Sequence, residues 1–528
     1  MRELNEYQQM LAAGKLTRRR FMQLATALGA STALATSMAG SALAATPKKG
    51  GTLRLGIGHG STTDSLDPGT FENLYMQTVG GAVYNKLTEV AASGDIVPEL
   101  AESWDVTPDA ATWTFKLRQG VEFHNGKTMD SGDVIASINH HLGEDSKSAA
   151  KAILDPIAEV TADGKDTVVF KLKTGNADFP FILSDYHVAI LPAKDGKLDP
   201  MSGVGNGGYM VESYEPGVRT ALKRHPNYWK SDRAHFDGAE VLAILDVAAR
   251  TNALTTGEID AMDRVDLKTA HLLKRNRNIR IEEVSGTQHY TFAMRTDTDP
   301  FTDNHVRLAL KYAIDREALV KTILRGHGVV GNDHPIGRSN RFHADDLEQR
   351  QYDPDKAKFH LKEAGLSSLK VDLSAADAAF PGAVDAAVLY KEHAAKAGID
   401  INVVREPNDG YWSNVWLKKP WCAVYWGGRP TEDWMFSTAY AAGVPWNDTY
   451  WTHERFNQVL VQARAELDEA KRRQMYFELQ KIVSDEGGVV VPMFANYVMG
   501  ISTKLQHDKL GANWSMDGFR AIERWWFA

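Results

Sequence analysis

The sequence predicts an α/β chain with mixed sheets, divided into two or three domains. Short segments that alternate apolar and polar residues, as strands do, occur at residues 52–57, 113–118 and 167–172. Segments with apolar residues at helical spacing lie between and after them, and they become more frequent beyond residue 300. This irregular alternation favours an α/β fold with mixed sheets. A chain of 528 residues is also too long for a single hydrophobic core.

Residues 1–44 are predicted to be a twin-arginine export signal rather than part of the fold. Arginines and a phenylalanine at 18–21 (RRRF) precede a mild apolar run at 24–38, and 42–44 (ALA) fits the small-x-small pattern of signal-peptidase sites. The run has about 15 residues, whereas a membrane-spanning helix needs about 20. The alternative is a disordered basic tail followed by a short helix. The export interpretation places the protein outside the cytoplasm, reached by the route for chains that fold before crossing.

Charge and cysteine content narrow the functional class. The formal net charge is −8 at pH 7 and becomes more negative without the basic segment 1–44, which is unfavourable for binding nucleic acid or anionic lipid. The single cysteine, Cys422, excludes an intramolecular disulfide and a lipid anchor at the cleavage site. We therefore expect a freely diffusing protein in a periplasm enclosed by an outer membrane, with no nucleic-acid partner.

The strand at 52–57 leads into a glycine-containing loop that could suggest a dinucleotide site. The spacing is wrong for such a site, because Ser61 and Thr62 stand where a helix should begin and 66–69 (LDPG) breaks the chain. A loop at a domain edge is the better interpretation. It would offer His59 and backbone N–H groups to a cleft.

Helices are predicted from their starts and from apolar periodicity. A start signal occurs at 131–134 (SGDV), Asp303 can cap a helix, and 352–355 (YDPD) begins another that ends at Gly365. Residues 454–485 carry apolar residues on one side and predict one or two amphipathic helices.

The signatures of common catalytic sites are missing. The sequence has no Gly-x-Ser-x-Gly elbow, His-Glu-x-x-His helix or Gly-x-x-x-x-Gly-Lys-Ser/Thr phosphate loop. Cys422 follows Trp421 in an apolar run, which favours a buried, inert thiol. Adjacent His140 and His141 point to different sides of a helix, so they are poorly arranged for metal. If the protein binds a metal, we expect the ligand to bring the metal with it.

Several motifs in one order carry a resemblance to a known family. The chain resembles the family 5 extracellular solute-binding proteins, which include periplasmic dipeptide-, oligopeptide- and nickel-binding proteins of ABC importers. The matching segments are 101–104 (AESW), 113–118 (WTFKLR), 120–121 (GV), 123–126 (FHNG), 133–134 (DV), 204–209 (VGNGGY), 224–229 (RHPNYW), 300–303 (PFTD), 306–310 (VRLAL), 313–317 (AIDRE) and 353–365.

The resemblance implies the two-lobed periplasmic binding protein fold of the large class, α/β with an extra subdomain and a hinge between mixed-sheet lobes. It places lobe 1 at 45–285 with a C-terminal return at 503–528, the subdomain at about 84–203, and lobe 2 at 286–502. Closure about the hinge would trap a ligand between the lobes, and the importer would recognise the closed form. Closure must be driven by differential contacts to the ligand. No enzymatic activity is expected.

Segment 425–433 (YWGGRPTED) departs from the peptide-binding members of the family. Those members carry an aspartate about three positions after the tryptophan-like residue, where it pairs with the peptide α-ammonium. This sequence has Arg429 at that distance from Trp426. A guanidinium prefers carboxylate, phosphate or sulfonate. Pro430 suits the first turn of a helix whose N-terminal N–H groups also favour anions.

Two alternatives stay open for this segment. Arg429 could pair with Glu432 or Asp433 and never meet a ligand, and a gap of a few residues would make Asp433 the amine-binding acid. Arg338 is a further possible carboxylate partner. The candidate ligand-binding residues are Trp426, Gly428, Arg429, Asp433, Trp446, Asn447, His59 and Arg338.

The function predicted from these observations is that of a periplasmic substrate-binding component of an ABC importer. Its ligand would be a short peptide or a peptide-like amino-acid derivative with a carboxylate, such as an opine or an amide conjugate. No cofactor is expected, the partners are the ligand and the permease subunits in the inner membrane, and the protein is expected to be a monomer. The alternatives are a nickel or other metal–chelate carrier, a secreted hydrolase, and a sensor subunit that delivers its ligand to a membrane receptor.

Overall fold

The computed structural model describes residues 4, 7, 10, 16–28, 47–408 and 410–528. Helix α1 (Arg18–Ala27) carries the arginines of the predicted export signal, and the Thr17 side chain caps it by accepting the Arg20 N–H at 3.3 Å. The cleavage motif at 42–44 and most of the apolar run lie outside the described residues. Within the described ranges, none of the helices combines the length and apolar character that a bilayer crossing requires.

The strands of the described ranges form one large sheet and four smaller ones. They are β1 (Thr52–Ile57), β2 (Thr88–Val90), β3 (Ile96–Pro98), β4 (Ala101–Val106), β5 (Thr112–Leu117), β6 (Ile157–Ala162), β7 (Thr167–Leu172), β8 (Ala193–Lys194), β9 (Lys197–Leu198), β10 (Tyr209–Glu215), β11 (Arg219–Arg224), β12 (Gly238–Ala243), β13 (Ala261–Met262), β14 (Ile279–Met294), β15 (Gly328–Val330), β16 (Leu369–Ala375), β17 (Ile399–Arg405), β18 (Trp421–Trp426), β19 (Val489–Ser502), β20 (Leu505–Gln506) and β21 (Trp526–Phe527).

Helices alternate with these strands along the chain. After α1 they are α2 (Leu74–Val83), α3 (Ser131–Leu142), α4 (Lys151–Leu154), α5 (Phe179–Ile182), α6 (Val247–Thr256), α7 (Ala270–Leu273), α8 (Asn304–Tyr312), α9 (Arg316–Thr322), α10 (Pro354–Glu363), α11 (Ala383–Ala395), α12 (Tyr411–Asn414), α13 (Glu432–Ala439), α14 (Glu454–Ala465), α15 (Glu469–Glu486) and α16 (Ala521–Arg524). A turn at Ser515–Gly518 has left-handed backbone at Met516 and Asp517, so it does not form a regular helix.

One eleven-stranded sheet runs through both halves of the molecule. Its order is β10-β11-β12-β1-β13-β19-β14-β18-β16-β17, with β15 paired to β19. Strand β1 is parallel to β12 and β13, and β16 is parallel to β17 and β18, whereas the remaining pairs are antiparallel. Loops at the carboxyl ends of parallel strands are the usual place for a site in such sheets. The residues that follow β1 and β18 are therefore well placed to form one.

The two longest strands, β14 and β19, connect the lobes. One end of this antiparallel pair joins lobe 1 through β13, and the other end joins lobe 2 through β18. The register of the pair shifts between Ser285 and His289. A bulge of this kind bends a strand and increases its local twist. The lobes are thus linked by a two-stranded ribbon with an irregularity near its middle.

Separate hydrophobic cores lie on the two sides of this ribbon. The core of lobe 1 includes Leu55, Tyr75 and Trp525, whereas the core of lobe 2 includes Tyr390 and Trp421. A third core lies beneath the four-stranded sheet β4-β5-β7-β6. The architecture is the predicted two-lobed α/β fold with an additional subdomain.

The local predictions from the sequence are largely confirmed. Strands occupy 52–57 and 167–172 as predicted, and residues 454–485 form the two helices α14 and α15. Asp303 caps α8 by accepting the N–H of His305 at 2.7 Å, and Asp353 caps α10. These caps satisfy N–H groups that a helix start leaves without partners.

Candidate functional site

The loop at residues 427–431 lies where the two lobes meet. It continues from Trp426 at the end of β18. A Cβ atom at Gly428 would lie 1.7 Å from the hydroxyl oxygen of Thr287 and 3.1 Å from the carbonyl oxygen of Asn513. Thr287 belongs to the irregular part of β14, and Asn513 belongs to the segment that returns to lobe 1. Only glycine at 428 allows this close approach, so the structure accounts for its presence.

Arg429 presents a cation to lobe 1 from this loop. Its side chain is half-buried, and Nη1 donates to the carbonyl oxygens of Gly427 at 3.4 Å and Gly428 at 3.2 Å. Burial lowers the pKa of Arg429, while Tyr186 and Asp185 of lobe 1 act in the opposite direction. In the described part of the chain, no carboxylate forms an ion pair with Arg429. A guanidinium in this setting is suited to an anionic partner from outside the protein.

The start of α13 differs from the sequence prediction. Thr431 is the N-cap and accepts the N–H of Trp434 at 3.3 Å. Pro430 therefore precedes the cap and is not in the first turn. The first turn itself contains two acids, so its N–H groups already face negative charge.

Neither acid of this turn pairs with Arg429. Glu432 accepts the backbone N–H of Phe342 at 2.7 Å, and Asp433 forms an ion pair with Arg464 at 3.1 Å. Burial raises the pKa of Glu432 to about 7. Burial also raises the pKa of Asp433, an effect that Arg464 opposes. Asp433 is thus committed to an internal cation in this structure.

Aromatic side chains cluster beside the loop. The Trp416 ring lies 6.2 Å from Trp426, 6.3 Å from Trp446 and 5.8 Å from Trp412, and Trp412 lies 5.4 Å from Tyr425. Trp426 is buried, whereas Trp446 is 48% exposed, Tyr425 42% and Trp412 39%. These partly exposed rings provide contact area for an apolar portion of a ligand. The sequence prediction included Trp426 and Trp446 but missed the others.

Asn447 holds the loop that carries Trp446. It is buried, and its Nδ2 donates to the carbonyl oxygens of Ala441 at 3.2 Å and Trp451 at 2.8 Å. Its Oδ1 accepts from the Thr449 hydroxyl at 3.0 Å. These internal bonds occupy both ends of the amide, so its contacts in this structure are all with its own loop.

His59 follows β1 and lies in a charged cluster on lobe 1. The preceding Gly58 N–H donates to Asp263 at 2.8 Å, and Asp263 lies 3.6 Å from Arg250 and 3.8 Å from Arg264. Burial, followed by the two arginines, lowers the pKa of His59 to about 4. His59 is therefore a neutral imidazole near neutral pH, and its enclosed Nδ1 has no hydrogen-bond partner in the described ranges.

Arg338 is not brought together with the loop at 427–431. Its side chain is exposed and lines a surface depression with about 780 Å³ of open space, together with Glu317 and Lys321. Asn340, two residues later, does reach the site and donates to the carbonyl oxygen of Arg429 at 3.2 Å. Asn340 therefore contacts the site, whereas the side chain of Arg338 lines a separate surface.

Lobe 1 contributes an aromatic group that the sequence did not single out. The Tyr186 ring lies 5.5 Å from both Trp514 and Phe519, and those two rings stack at 5.1 Å. Tyr497 of β19 has its pKa raised to about 12 by burial, and Arg429 opposes this shift. The aromatic content of the chain was the only sequence signal, and it did not distinguish these residues from core aromatics.

The lobes also touch at the additional subdomain. Asp178 forms a buried ion pair with Arg472 of α15 at 2.7 Å, and the N–H of Ala177 donates to the carbonyl oxygen of Arg464 at 2.7 Å. Arg472 Nε also donates to the Ala463 carbonyl oxygen at 3.1 Å. The lobes are therefore in contact at a second place, besides the strands that connect them.

A buried cluster of carboxylates has an internal cation, and the cysteine is buried in a strand. Among the described residues, one group of three carboxylates, Glu89, Glu99 and Glu523, is close enough to surround an ion. The ammonium of Lys230 already lies 2.7, 2.8 and 3.0 Å from these acids, respectively. Cys422 is buried in β18, and burial raises the pKa of its thiol. This agrees with the predicted inert cysteine.

Comparison with known proteins gives a consistent result. The chain is 26% identical over 451 residues to the dipeptide-binding protein of Escherichia coli K12, covering 78% of this chain and 83% of that protein. Its structure is similar to AgaA from A. tumefaciens R10 in complex with agropinic acid, with a TM-score of 0.72, 24% identity, and coverage of 90% and 99% of the two chains. It is also similar to NikZ from Campylobacter jejuni in complex with Ni(L-His), with a TM-score of 0.74, 21% identity, and coverage of 90% and 99%.

The structural similarities, at identities below 25%, establish the fold. Family membership rests on the match of residues 95–471 to the model of the bacterial extracellular solute-binding proteins, family 5 Middle. That match covers most of the chain and includes the motifs identified in the sequence. The chain therefore belongs to the family 5 bacterial extracellular solute-binding proteins.

Proposed function

We propose that this protein is the periplasmic substrate-binding component of an ABC importer. It captures a short peptide or a peptide-like amino-acid derivative by lobe closure and delivers it, as a monomer, to permease subunits in the inner membrane. Export by the twin-arginine route and the absence of catalysis belong to the same proposal. So do the lobe boundaries 45–285 with 503–528, and 286–502, which the distribution of the hydrophobic cores supports.

The single observation that carries the ligand class is Arg429. This half-buried guanidinium faces lobe 1 from the loop after β18, and no protein carboxylate pairs with it in the described ranges. A carboxylate is the common anion of peptides, opines and amide conjugates, and it matches the guanidinium geometry. Arg429 therefore binds a ligand carboxylate, with Gly428 providing close backbone approach.

The acids near the loop support a ligand that does not depend on a free α-ammonium. Asp433 is paired with Arg464, and Glu432 is bonded to a backbone N–H. The exposed Trp446 and Tyr425 side chains belong to the aromatic cluster around Trp426, the residue before the loop that carries Arg429, and offer apolar contact area. His59 adds a neutral imidazole from the opposite lobe. This combination favours a carboxylate-bearing derivative with an apolar part, such as an opine or an amide conjugate.

The test begins with the ligand that the protein carries. Protein purified without added ligand should yield a carboxylate-bearing compound by native mass spectrometry, and a ligand at 100 times its Kd should add about 2.7 kcal/mol of stability. Arg429→Ala should weaken binding of that compound by about 2 kcal/mol or more, as loss of one partner of a buried charge pair does.

Arg473→Ala is the matched control, because Arg473 is half exposed on lobe 2, where its guanidinium lies 3.9 Å from Glu469 and 5.2 Å from the centre of the Phe342 ring. It should leave affinity unchanged. Unchanged affinity in Arg429→Ala would give Arg429 a structural role. Stoichiometric nickel in the purified protein would instead favour the metal–chelate carrier, and turnover of the bound compound would favour the hydrolase.

A further inference from the structure

Lys86, between α2 and β2, is a buried cation that belongs to none of the site contacts described above. The residue is 4% exposed. Its backbone N–H donates to Glu99 at 2.9 Å, but within the described ranges its ammonium makes no hydrogen bond. Burial lowers the pKa of Lys86 to about 8. Its Nζ is not one of the fully enclosed, unpartnered polar atoms of the described ranges, so a group from outside the protein can still reach it.

The acids nearest to this ammonium bond to other cations. Glu99 accepts from Lys230 at 2.8 Å and from Arg520 at 2.8 Å, and Glu523 accepts from the same two residues at 3.0 and 2.7 Å. Their negative charge reaches Lys86 only through space. Within the described ranges, no hydrogen bond joins the Lys86 ammonium to the network that neutralises its neighbours.

A small cavity lies beside Lys86 and adjoins the candidate site. The cavity has about 300 Å³ of free space including its mouth, and its inner part admits about one water molecule. Besides Lys86, its lining includes Ser184, Tyr186, Asn513 and Trp514. The side-chain Oδ1 of Asn513 is buried without a hydrogen-bond partner in the described part of the chain.

The walls of this cavity are shared with the arginine site. The charge of Arg429 opposes the rise that burial causes in the pKa of Tyr186, so the two residues are near each other, and the backbone of Asn513 lies against Gly428. Tyr186 is thus close to Arg429 and also lines the cavity beside Lys86.

We propose that Lys86 is a second anion subsite, so that the ligand carries two carboxylates, one bound by Arg429 and one by Lys86. This inference rests on the proposed function and narrows its ligand class to dicarboxylates, such as acidic dipeptides and imino dicarboxylates. A lysine suits the inner position, because its compact ammonium contacts a single oxygen in a space of about one water molecule. The unpartnered Oδ1 of Asn513 beside it accepts an N–H of the same ligand.

Calorimetric titration with matched probe pairs tests the proposal. The pairs are alanylglutamate with alanylglutamine, and N-(1-carboxyethyl)alanine with its monoamide. The wild type should bind at least one diacid about tenfold or more tightly than its amide, as expected for a hydrogen bond to a charged group. Lys86→Met should abolish this preference while binding the amide as before, and Lys86→Arg should retain part of it.

Lys223→Met, an exposed lysine on the same lobe, is the control and should keep the preference. Thermal unfolding confirms that each variant is folded, and Lys86→Gln replaces Lys86→Met if the latter is not. Equal affinity for diacid and amide in the wild type, or a preference that survives loss of Lys86, overturns the subsite and leaves capture of monocarboxylates intact. Failure of every carboxylate probe together with a neutral co-purified ligand overturns the proposed function as well.

Discussion

Two arginines of lobe 2 approach lobe 1, and they meet it differently. Arg472 is buried and pairs with Asp178 of the additional subdomain at 2.7 Å. Arg429 is half-buried and faces Tyr186 and Asp185 without an ion pair in the described ranges. The guanidinium of Arg472 is therefore paired with a carboxylate of the protein, whereas the guanidinium of Arg429 is not paired with one in the described ranges.

This difference separates a structural contact from a binding site. A buried ion pair is strongly destabilised when one partner is removed, because the other charge stays buried without compensation. An arginine without a partner already bears that cost in the ligand-free protein, and an anion that neutralises it gains affinity. Substitutions at the two positions should thus have opposite effects on stability.

The largest expected effect is that of Arg472→Met. The variant leaves the Asp178 carboxylate buried without a cation, so the free energy of unfolding should fall by about 3 kcal/mol in urea titrations. The double variant Asp178→Leu with Arg472→Met should recover most of this loss. Losses that simply add in the double variant would show that the pair is not the cause.

Gly428→Ala should have the next largest effect. Its Cβ would lie 1.7 Å from the Thr287 hydroxyl oxygen, so the loop that carries Arg429 must shift. We expect a loss of about 2 kcal/mol in unfolding free energy, with weaker ligand binding measured by calorimetry. Adding Thr287→Ala removes the nearest atom and should restore part of both quantities; no restoration would place the strain elsewhere.

Arg429→Met sharpens the comparison in the opposite direction. Without ligand, removal of a half-buried cation that has no ion pair in the described ranges should leave the stability unchanged or raise it by about 1 kcal/mol. Thermal and urea unfolding of ligand-free protein measure this change. A loss of stability as large as that of Arg472→Met would mean that Arg429 has an internal partner after all.

The smallest expected effect concerns Asp448, a buried acid that forms no ion pair within the described ranges. Trp416 donates to it at 3.1 Å, and burial raises the pKa of Asp448 to about 7. Because the folded state binds this proton more tightly, the contribution to stability is complete below about pH 4 and is lost as the pH rises through about 7. Asp448→Asn should be more stable than the wild type at pH 8 by about 1 kcal/mol and show a shallower decline.

The exposed Asp377→Asn is the control for that pH series and should follow the wild type. If the unfolding free energies of Asp448→Asn and the wild type change in parallel between pH 4 and 8, the decline in stability belongs to another group. Glu432 is the other acid near the site with a pKa raised to about 7.

The parts of the structure that could be predicted are those encoded by neighbouring residues. Asp303 and Asp353 cap helices because their side chains reach N–H groups only two or three residues ahead. The strand at 167–172 follows from alternation within six residues. The loop with Arg429 was chosen from the family resemblance and from the spacing between Arg429 and Trp426, and its role in binding stays a prediction.

Other contacts have no local signal. Asp178 and Arg472 are 294 positions apart, and Tyr186 meets Trp514 across an even longer stretch of chain. Residue type alone was also insufficient within the site. Asn447 has suitable groups for a ligand, yet both ends of its amide bond to its own loop, and the Arg338 side chain lies on the surface.

The return of the chain to lobe 1 determines the order in which the protein can fold during synthesis. Trp525, Ile522 and Met516 are fully buried in the core of lobe 1. These residues are made after all of lobe 2. Lobe 2 can therefore complete its hydrophobic core while the core of lobe 1 still lacks these residues. Synthesis of lobe 1 begins first, but its core is completed last. A nascent chain stalled before residue 516 would hold a complete lobe 2 beside an open lobe 1.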